Sequence, residues 1–158
     1  MTKIAIVTGA TSGLGLETAR QLAERGYQIG LLARNRDKAH AAAESIGRTA
    51  EIAPVVFHCD MAELAQVRQA AGEIGARFPR IDVLINNAGV INMKRRVTVD
   101  GYEETFAVNH LAQVVATLNT VLDLAKNLAN LIFDGVRPGR PFPETVQIRK
   151  QLAVHKLN

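Results

Sequence analysis

The sequence has little cysteine and few aromatic residues. Its 158 residues contain one cysteine, Cys59, no tryptophan and only 4% aromatic residues. One thiol excludes an internal disulfide framework, and since no Cys/His spacing is typical of zinc ligands, we predict no metal site. The chain also lacks a run of eighteen apolar residues and the layout of a signal peptide, so we expect a cytoplasmic protein with no membrane partner.

An excess of charge of one sign is also largely missing. The formal net charge is +4, and the basic run Lys94-Arg95-Arg96 is the main local concentration of charge. No helix-turn-helix, zinc-finger or RNP pattern accompanies this run, so we interpret it as a solvated loop and predict no nucleic-acid partner. Because 47% of the residues are apolar, the chain can bury one sizeable core, and we predict a single domain over residues 1–158.

Short apolar runs alternate with helical patterns along the first half of the chain. The apolar runs predict strands at Ile4–Val7, Ile29–Leu32, Val55–His58 and Val83–Ile85. Helical spacing lies between them, at residues 14–23, 37–46 and 62–78, and a longer helix is predicted over residues 100–128. This alternation predicts an α/β fold, a doubly wound and mostly parallel sheet with helices on both faces.

A glycine-rich turn follows the first predicted strand. Residues 8–15 read Thr-Gly-Ala-Thr-Ser-Gly-Leu-Gly and lead directly into a helix. Unpaired N–H groups and the positive end of the helix dipole meet at such a turn, which therefore suits a pyrophosphate. The second strand ends at Ala33-Arg34-Asn35-Arg36 with no carboxylate, and Arg34 favours the 2′-phosphate of NADP over the 2′-hydroxyl of NAD.

Several motifs in order resemble the short-chain dehydrogenase/reductase family, particularly its retinol-dehydrogenase-like and NADP-preferring members. They are the glycine turn, Asp60 after the third strand, Asn86-Asn87-Ala88-Gly89 after the fourth, and Asn109 within residues 100–111. The resemblance covers residues 3 to about 112, leaves 113–158 as a divergent segment, and implies a Rossmann-like sheet that is incomplete relative to the family. It implies cofactor binding by Gly9, Thr11, Ser12, Gly13, Leu14, Gly15, Asp60, Met61, Asn87, Ala88 and Gly89, together with Arg34 and Asn35.

Three of these positions also suit purely structural roles. Asp60 could be the N-cap of the third helix, Asn87 could tie strand ends together, and Asn109 could be a core hydrogen-bonding residue that kinks its helix. The structural and functional roles can coexist at each position. Arg34 could likewise be an ordinary exposed loop arginine.

The resemblance implies reversible hydride transfer between NADP(H) and a small carbonyl or alcohol substrate, with Asn109 supporting a proton path. The family's tyrosine and lysine, four residues apart, are absent: the two tyrosines, Tyr27 and Tyr102, have no lysine four positions later, and no serine follows Ser45. Three hypotheses stay open. The first is a truncated or catalytically impaired oxidoreductase. The second is a noncatalytic NADP(H)-binding regulatory module, which could form a homo-oligomer. The third is an aggregation-prone fragment with an unpaired sheet edge.

Overall fold

A computed structural model describes residues 2–119 of the chain and contains one four-stranded sheet. The strands are β1 (Ile4–Thr8), β2 (Gln28–Ala33), β3 (Val55–His58) and β4 (Val83–Ile85). All neighbouring strands are parallel, and the order across the sheet is β3-β2-β1-β4. The predicted α/β fold with a parallel sheet is therefore confirmed.

Helices connect the strands, as the periodicity predicts. They are α1 (Gly13–Glu24), α2 (Arg36–Gly47) and α3 (Leu64–Arg77). The third helix starts two residues later than predicted, because the Asp60 carboxylate accepts a hydrogen bond from the Ala62 N–H at 2.9 Å and holds the chain in a turn. Glu63, and not Asp60, occupies the N-cap position of α3, so the N-cap alternative for Asp60 is wrong.

Apolar side chains form two clusters, one on each face of the sheet. Neighbouring residues of β1 point to opposite faces: Val7 packs with the helices α1 and α2, and Ile6 packs with α3. The α3 side also contains Val108 and Ala112 from the last described helix. Both faces are thus covered by helices, as a doubly wound sheet requires.

The last described helix differs most from the prediction. It begins at α4 (Glu104–Phe106), passes through a π-helical turn (Ala107–Leu111) and continues as α-helix over residues 112–119; we call residues 104–119 the asparagine helix. It starts at 104 instead of 100 because Gly101, with φ of 83°, reverses the chain and Thr98 N–H bonds to Tyr102 O at 2.8 Å.

The buried stripe of the asparagine helix consists mainly of small residues. Alanines at 107, 112 and 116 are buried, Leu111 and Val115 are partly buried against the same core, and Phe106, Val114 and Leu118 are exposed although they repeat at helical spacing in the sequence. The extra residue in the π-turn shifts the side chains that follow it, so only part of this apolar side faces the sheet. Residues 120–128 of the predicted helix lie outside the described residues.

The described residues belong to one compact unit, Met1–Asn127. The single domain over residues 1–158 stays a prediction, because its last part lies outside the described residues. Within residues 2–119, no helix combines the length and apolar character needed to cross a membrane.

Candidate functional site

A cleft of about 470 Å³ lies at the carboxyl ends of the strands. Its wall is formed by the turn between β1 and α1, by the ends of β2 and β3, by the segment after β4, and by the first turns of the asparagine helix. Parallel sheets bind ligands in this position, where the chain connections on either side of the first strand diverge. The lining residues are Gly9, Thr11, Ser12, Leu14, Gly15, Leu32, Ala33, Arg34, Asn35, Lys38, Cys59, Asp60, Met61, Asn87, Ala88, Gly89, Val90, Glu104 and Val108.

The glycine turn presents the open N-terminus of α1 to this cleft. Ser12 precedes the helix in an extended conformation, its side chain does not cap the helix, and the first turn contains no acidic residue. The N–H groups of the first turn are therefore available to an anion. Gly13 has φ of 55°, and a Cβ atom there would meet no described atom within 4 Å, so the space in front of the turn is open.

Two glycines let the turn pack against the segment after β4. A Cβ atom on Gly9 would lie 2.8 Å from Ala88 Cα, and one on Gly15 would lie 2.6 Å from Gly9 O and would also collide with Asn87 Nδ2. Both distances are below any normal carbon contact. Glycine at these positions therefore serves close approach of backbone to backbone within the protein.

Thr8 fastens the glycine turn to the segment after β4. Its hydroxyl is fully buried, accepts hydrogen bonds from the N–H groups of Asn87 and Ala88 at 2.9 Å each, and donates to Ile85 O at 3.3 Å. Asn87 Nδ2 donates back to Thr8 O at 2.9 Å and to Gly9 O at 3.2 Å. Asn87 thus ties strand ends together and lines the cleft, so the structural alternative for this residue is confirmed.

The end of β2 supplies positive charge. Arg34 has a side chain that is 66% exposed, and its guanidinium lies 3.6 Å from the carboxylate of Asp60, a long ion pair that is weak at this exposure. Asn35 caps α2, with Oδ1 accepting from Lys38 N–H at 2.9 Å. Lys38 lines the cleft together with Arg34 and is not among the site residues predicted from the sequence.

The end of β3 supplies an apolar floor. Cys59 and Met61 are both buried, with their sulfur atoms 3.9 Å apart. Burial raises the pKa of the Cys59 thiol to about 12, and the nearby carboxylates of Asp60, Glu63 and Glu73 add to this effect. Cys59 is therefore an inert thiol, as its apolar surroundings in the sequence indicate.

Asn109 lies in the π-turn outside the cleft. Its Oδ1 accepts from Val90 N–H and its Nδ2 donates to Val90 O, both at 2.8 Å. The predicted hydrogen-bonding role is therefore present, with the loop after β4 as the partner, but Asn109 is exposed, so its predicted place in the core is wrong. A π-turn is often found where a helix carries a functional residue, because the extra residue shifts the side chains that follow it.

Of the thirteen residues predicted to bind the cofactor, the structure places twelve around one cleft. Gly13 stands at the mouth of the turn and does not line the cleft, and Asn109, predicted as a catalytic residue, reaches it only through Val90. Gln113 and Thr117 are not among the site residues predicted from the sequence. Their signal is a polar residue every four positions, at 109, 113 and 117.

Comparisons with known proteins agree with this geometry. The short chain dehydrogenase family matches residues 3–132. Retinol dehydrogenase 13 of Homo sapiens is 43% identical over 125 residues, which cover 78% of this chain and 38% of that protein. Retinol dehydrogenase 14 of Homo sapiens is 38% identical over 141 residues, which cover 80% of this chain and 42% of that protein.

Two solved structures show the same fold. An alcohol dehydrogenase from the archaeon Thermococcus sibiricus, complexed with 5-hydroxy-NADP, has a TM-score of 0.69 and 27% identity, covering 80% of this chain and 55% of the other. A blue fluorescent protein from a metagenomic library, in complex with NADPH, has a TM-score of 0.66 and 31% identity, covering 76% and 50% of the two chains.

The chain belongs to the short-chain dehydrogenase/reductase family, and its sheet is Rossmann-like. The family match extends beyond residue 112, the limit set by the sequence motifs. The chain spans less than half the length of the two human retinol dehydrogenases.

Proposed function

We propose that the cleft binds a nicotinamide dinucleotide, with NADP(H) preferred, and that the chain is the cofactor-binding part of an oxidoreductase. The proposal rests on one observation: the uncapped N-terminus of α1 and the basic pair Arg34 and Lys38 line the same cleft. The first suits a pyrophosphate and the second suits a 2′-phosphate. Binding of NADPH and 5-hydroxy-NADP by the two structural neighbours supports the same assignment.

Each part of the dinucleotide has residues suited to it. The turn would hold the pyrophosphate through its backbone N–H groups, while Arg34, Asn35 and Lys38 would surround the 2′-phosphate. Asp60 and Met61 would contact the adenine. Asn87, Ala88 and Gly89 would form the wall beside the nicotinamide ribose, where small side chains leave room. The turn residues are Gly9, Thr11, Ser12, Gly13, Leu14 and Gly15.

Bound NADPH would supply a hydride to a carbonyl carbon, and the residues of this chain would bind and orient it. A proton donor to the carbonyl oxygen is also required. No tyrosine of the 158 residues precedes a lysine by four positions, and Leu122, four before Lys126, cannot exchange a proton. We therefore propose that reduction by these residues alone is absent or very weak.

Titration with NADPH and with NADH tests the binding proposal. Specific binding raises the thermal unfolding temperature, because the ligand stabilises the folded state only. We expect saturable stabilisation by both cofactors, with NADPH effective at a lower concentration. A cooperatively folded chain that neither cofactor stabilises would show that the cleft has the shape of a dinucleotide site without its function.

Two neighbouring arginines provide a matched pair of variants for the preference. Arg34 lines the cleft and Arg36 does not, although both are exposed and carry the same charge. A charge-assisted hydrogen bond contributes about 1.5–3 kcal/mol, so Arg34→Ala should weaken NADPH binding roughly tenfold to a hundredfold. NADH binding should change little. Arg36→Ala is the control, and an equal loss in both variants would contradict the role of Arg34.

A noncatalytic, NADP(H)-binding regulatory module is the second candidate. It is favoured by the missing tyrosine and lysine pair, and it predicts tight NADPH binding without any oxidation of NADPH by carbonyl compounds. Inserting a Tyr-x3-Lys segment and recovering NADPH oxidation would favour the impaired oxidoreductase. The substrate, a homo-oligomeric state and the cytoplasmic location remain predictions.

A further inference from the structure

A row of polar side chains on the asparagine helix holds the segment after β4. Asn109 bonds to both backbone groups of Val90, Gln113 Nε2 donates to Ala88 O at 2.8 Å, and Thr117 Oγ1 accepts from Asn86 Nδ2 at 3.0 Å. The partners on the helix are four residues apart, and the partners on the segment are two residues apart. We call these three pairs the helix ladder.

The spacing of the helix ladder follows from backbone geometry. Four residues of helix rise about 6.0 Å, at roughly 1.5 Å per residue. Two residues of extended chain rise about 6.6 Å, at roughly 3.3 Å per residue. The two repeats differ by only about 0.6 Å per step, so a helix can hold Ala88 and Val90 from residues four positions apart. Asn86 lies in a tight turn, in which Asn87 N–H bonds to Ile85 O at 3.1 Å, and it reaches Thr117 through its side chain.

The opposite side of the segment is held by the glycine turn. Thr8 Oγ1 accepts from the N–H groups of Asn87 and Ala88, and the Asn87 side chain bonds back to Thr8 and Gly9. Residues 86–90 are therefore fixed from both sides. Hydrogen bonds to β1 fix where the segment leaves the sheet, and the helix ladder fixes how far Ala88 and Val90 stand from the cleft.

Gln113 is the central member of the ladder and is almost completely buried, with 8% exposure. Its Oε1 has no hydrogen-bond partner among the described residues. An unpaired buried acceptor opposes folding, so the side chain is not explained by stability alone. The Thr117 hydroxyl, one turn further on, donates to the backbone O of Gln113 at 2.8 Å while accepting from Asn86.

We propose that Gln113 and Thr117 are positioning residues that set the wall of the cleft at Ala88–Val90, beside the nicotinamide half of the cofactor. This inference rests on the proposed function. The ladder has no member near Arg34 or Lys38, so its loss should affect the nicotinamide half and leave the adenine half unchanged.

Gln113→Leu removes the amide and keeps a similar side-chain size. The matched control is Asn119→Leu, because within residues 2–119 the Asn119 side chain bonds only inside its own helix, to Val115 O at 2.8 Å. Thr117→Val and Thr117→Ser form a second pair, of which only serine keeps the hydroxyl that both partners use. The probes are NADPH, which has both halves, and 2′,5′-ADP, which has only the adenine half.

We expect Gln113→Leu to weaken NADPH binding about threefold to tenfold, which corresponds to the loss of one hydrogen bond, and to leave 2′,5′-ADP binding unchanged. Thr117→Val should act in the same direction, and Thr117→Ser and Asn119→Leu should not. Equal weakening of the binding of both probes would overturn the inference, since a general loss of stability weakens the binding of both alike. Unchanged binding of both probes would overturn it as well.

Amide hydrogen exchange provides a readout that does not depend on the cofactor. The N–H groups of Asn87, Ala88 and Val90 should exchange at least several times faster in Gln113→Leu than in the parent chain, while β1 and β2 keep their protection. If the parent binds neither probe, the proposed function is wrong, and exchange alone decides the positioning role. Unchanged exchange over residues 86–90 would overturn it.

Discussion

Replacing the Thr8 hydroxyl tests whether the glycine turn and the segment after β4 form one unit. Thr8→Val keeps the β-branched shape and removes an acceptor shared by two partly buried N–H groups, those of Asn87 and Ala88. Asn87 N–H keeps a bond to Ile85 O at 3.1 Å, so only the Ala88 donor is left unpaired. Leaving the Ala88 donor unpaired costs about 1–3 kcal/mol, losing one of the two Asn87 bonds costs about 0.5–1.5 kcal/mol, and the methyl group in an apolar site recovers about 0.8 kcal/mol. The expected net loss in free energy of unfolding is therefore about 1–4 kcal/mol.

Urea unfolding followed by far-ultraviolet circular dichroism measures this loss, since the chain has no tryptophan to report by fluorescence. Thr8→Ser is the control, because serine keeps the hydroxyl and loses only a methyl group. We expect the midpoint to fall much further in Thr8→Val than in Thr8→Ser, with similar slopes in urea. A loss in Thr8→Val below about 1 kcal/mol, or one matched by Thr8→Ser, would refute the reasoning.

Three further predictions concern glycines, a loop carboxylate and the buried thiol. Gly15→Ala should destabilise the fold, because its Cβ would collide with Asn87 Nδ2. Gly72→Ala, in open space on α3, should instead stabilise the fold by about 0.5–1 kcal/mol. Thermal unfolding should therefore show a lower unfolding temperature for the first variant and a higher one for the second. Asp100→Ala should lower the free energy of unfolding by about 1 kcal/mol, since Asp100 Oδ2 accepts from Leu64 N–H at 2.8 Å and caps α3. Asp100→Asn keeps an acceptor oxygen and should lower the free energy of unfolding by less. The pKa of the Cys59 thiol is about 12 in the folded chain and 9.0 ordinarily, so thiolate formation favours the unfolded chain. The free energy of unfolding should therefore fall as pH rises from about 9 toward 12. This pH dependence should be weaker in Cys59→Ala.

The alternation of strands and helices could be predicted because its signals are local. A run such as Val55–His58 is apolar, short and bounded by turn residues, and β3 has these same bounds. The strand order β3-β2-β1-β4 is a finding of the structure, because the right-handed connection rule fixes the hand of each crossover and not which strands are neighbours. The twelve cleft residues were found for a related reason, since parallel strands bring their carboxyl ends to one edge of the sheet.

The asparagine helix could not be predicted in the same way. Its large apolar residues repeat at helical spacing, which indicates a regular helix with those residues buried, yet Val114 and Leu118 are exposed. The π-turn inserts a residue, and no local pattern of the sequence predicts that insertion. Gln113 is also difficult to select from the sequence, because its partner Ala88 lies 25 residues away and only the fold brings them together.

The two halves of the cleft therefore depend on different parts of the sequence. Around the proposed adenine half, Arg34, Asn35 and Asp60 lie within two residues of the ends of their strands, and their contacts are with near neighbours or across adjacent strand ends. The nicotinamide wall has no such local support: Asn87 bonds to Thr8 across 79 residues, and Ala88 and Val90 are held by the asparagine helix. Damage to the asparagine helix should thus affect the geometry needed for hydride transfer before it affects recognition of the 2′-phosphate. Under the proposed function, a chain without the family's tyrosine and lysine pair would keep a selective NADP(H) site, because the residues proposed to contact the phosphates precede the asparagine helix.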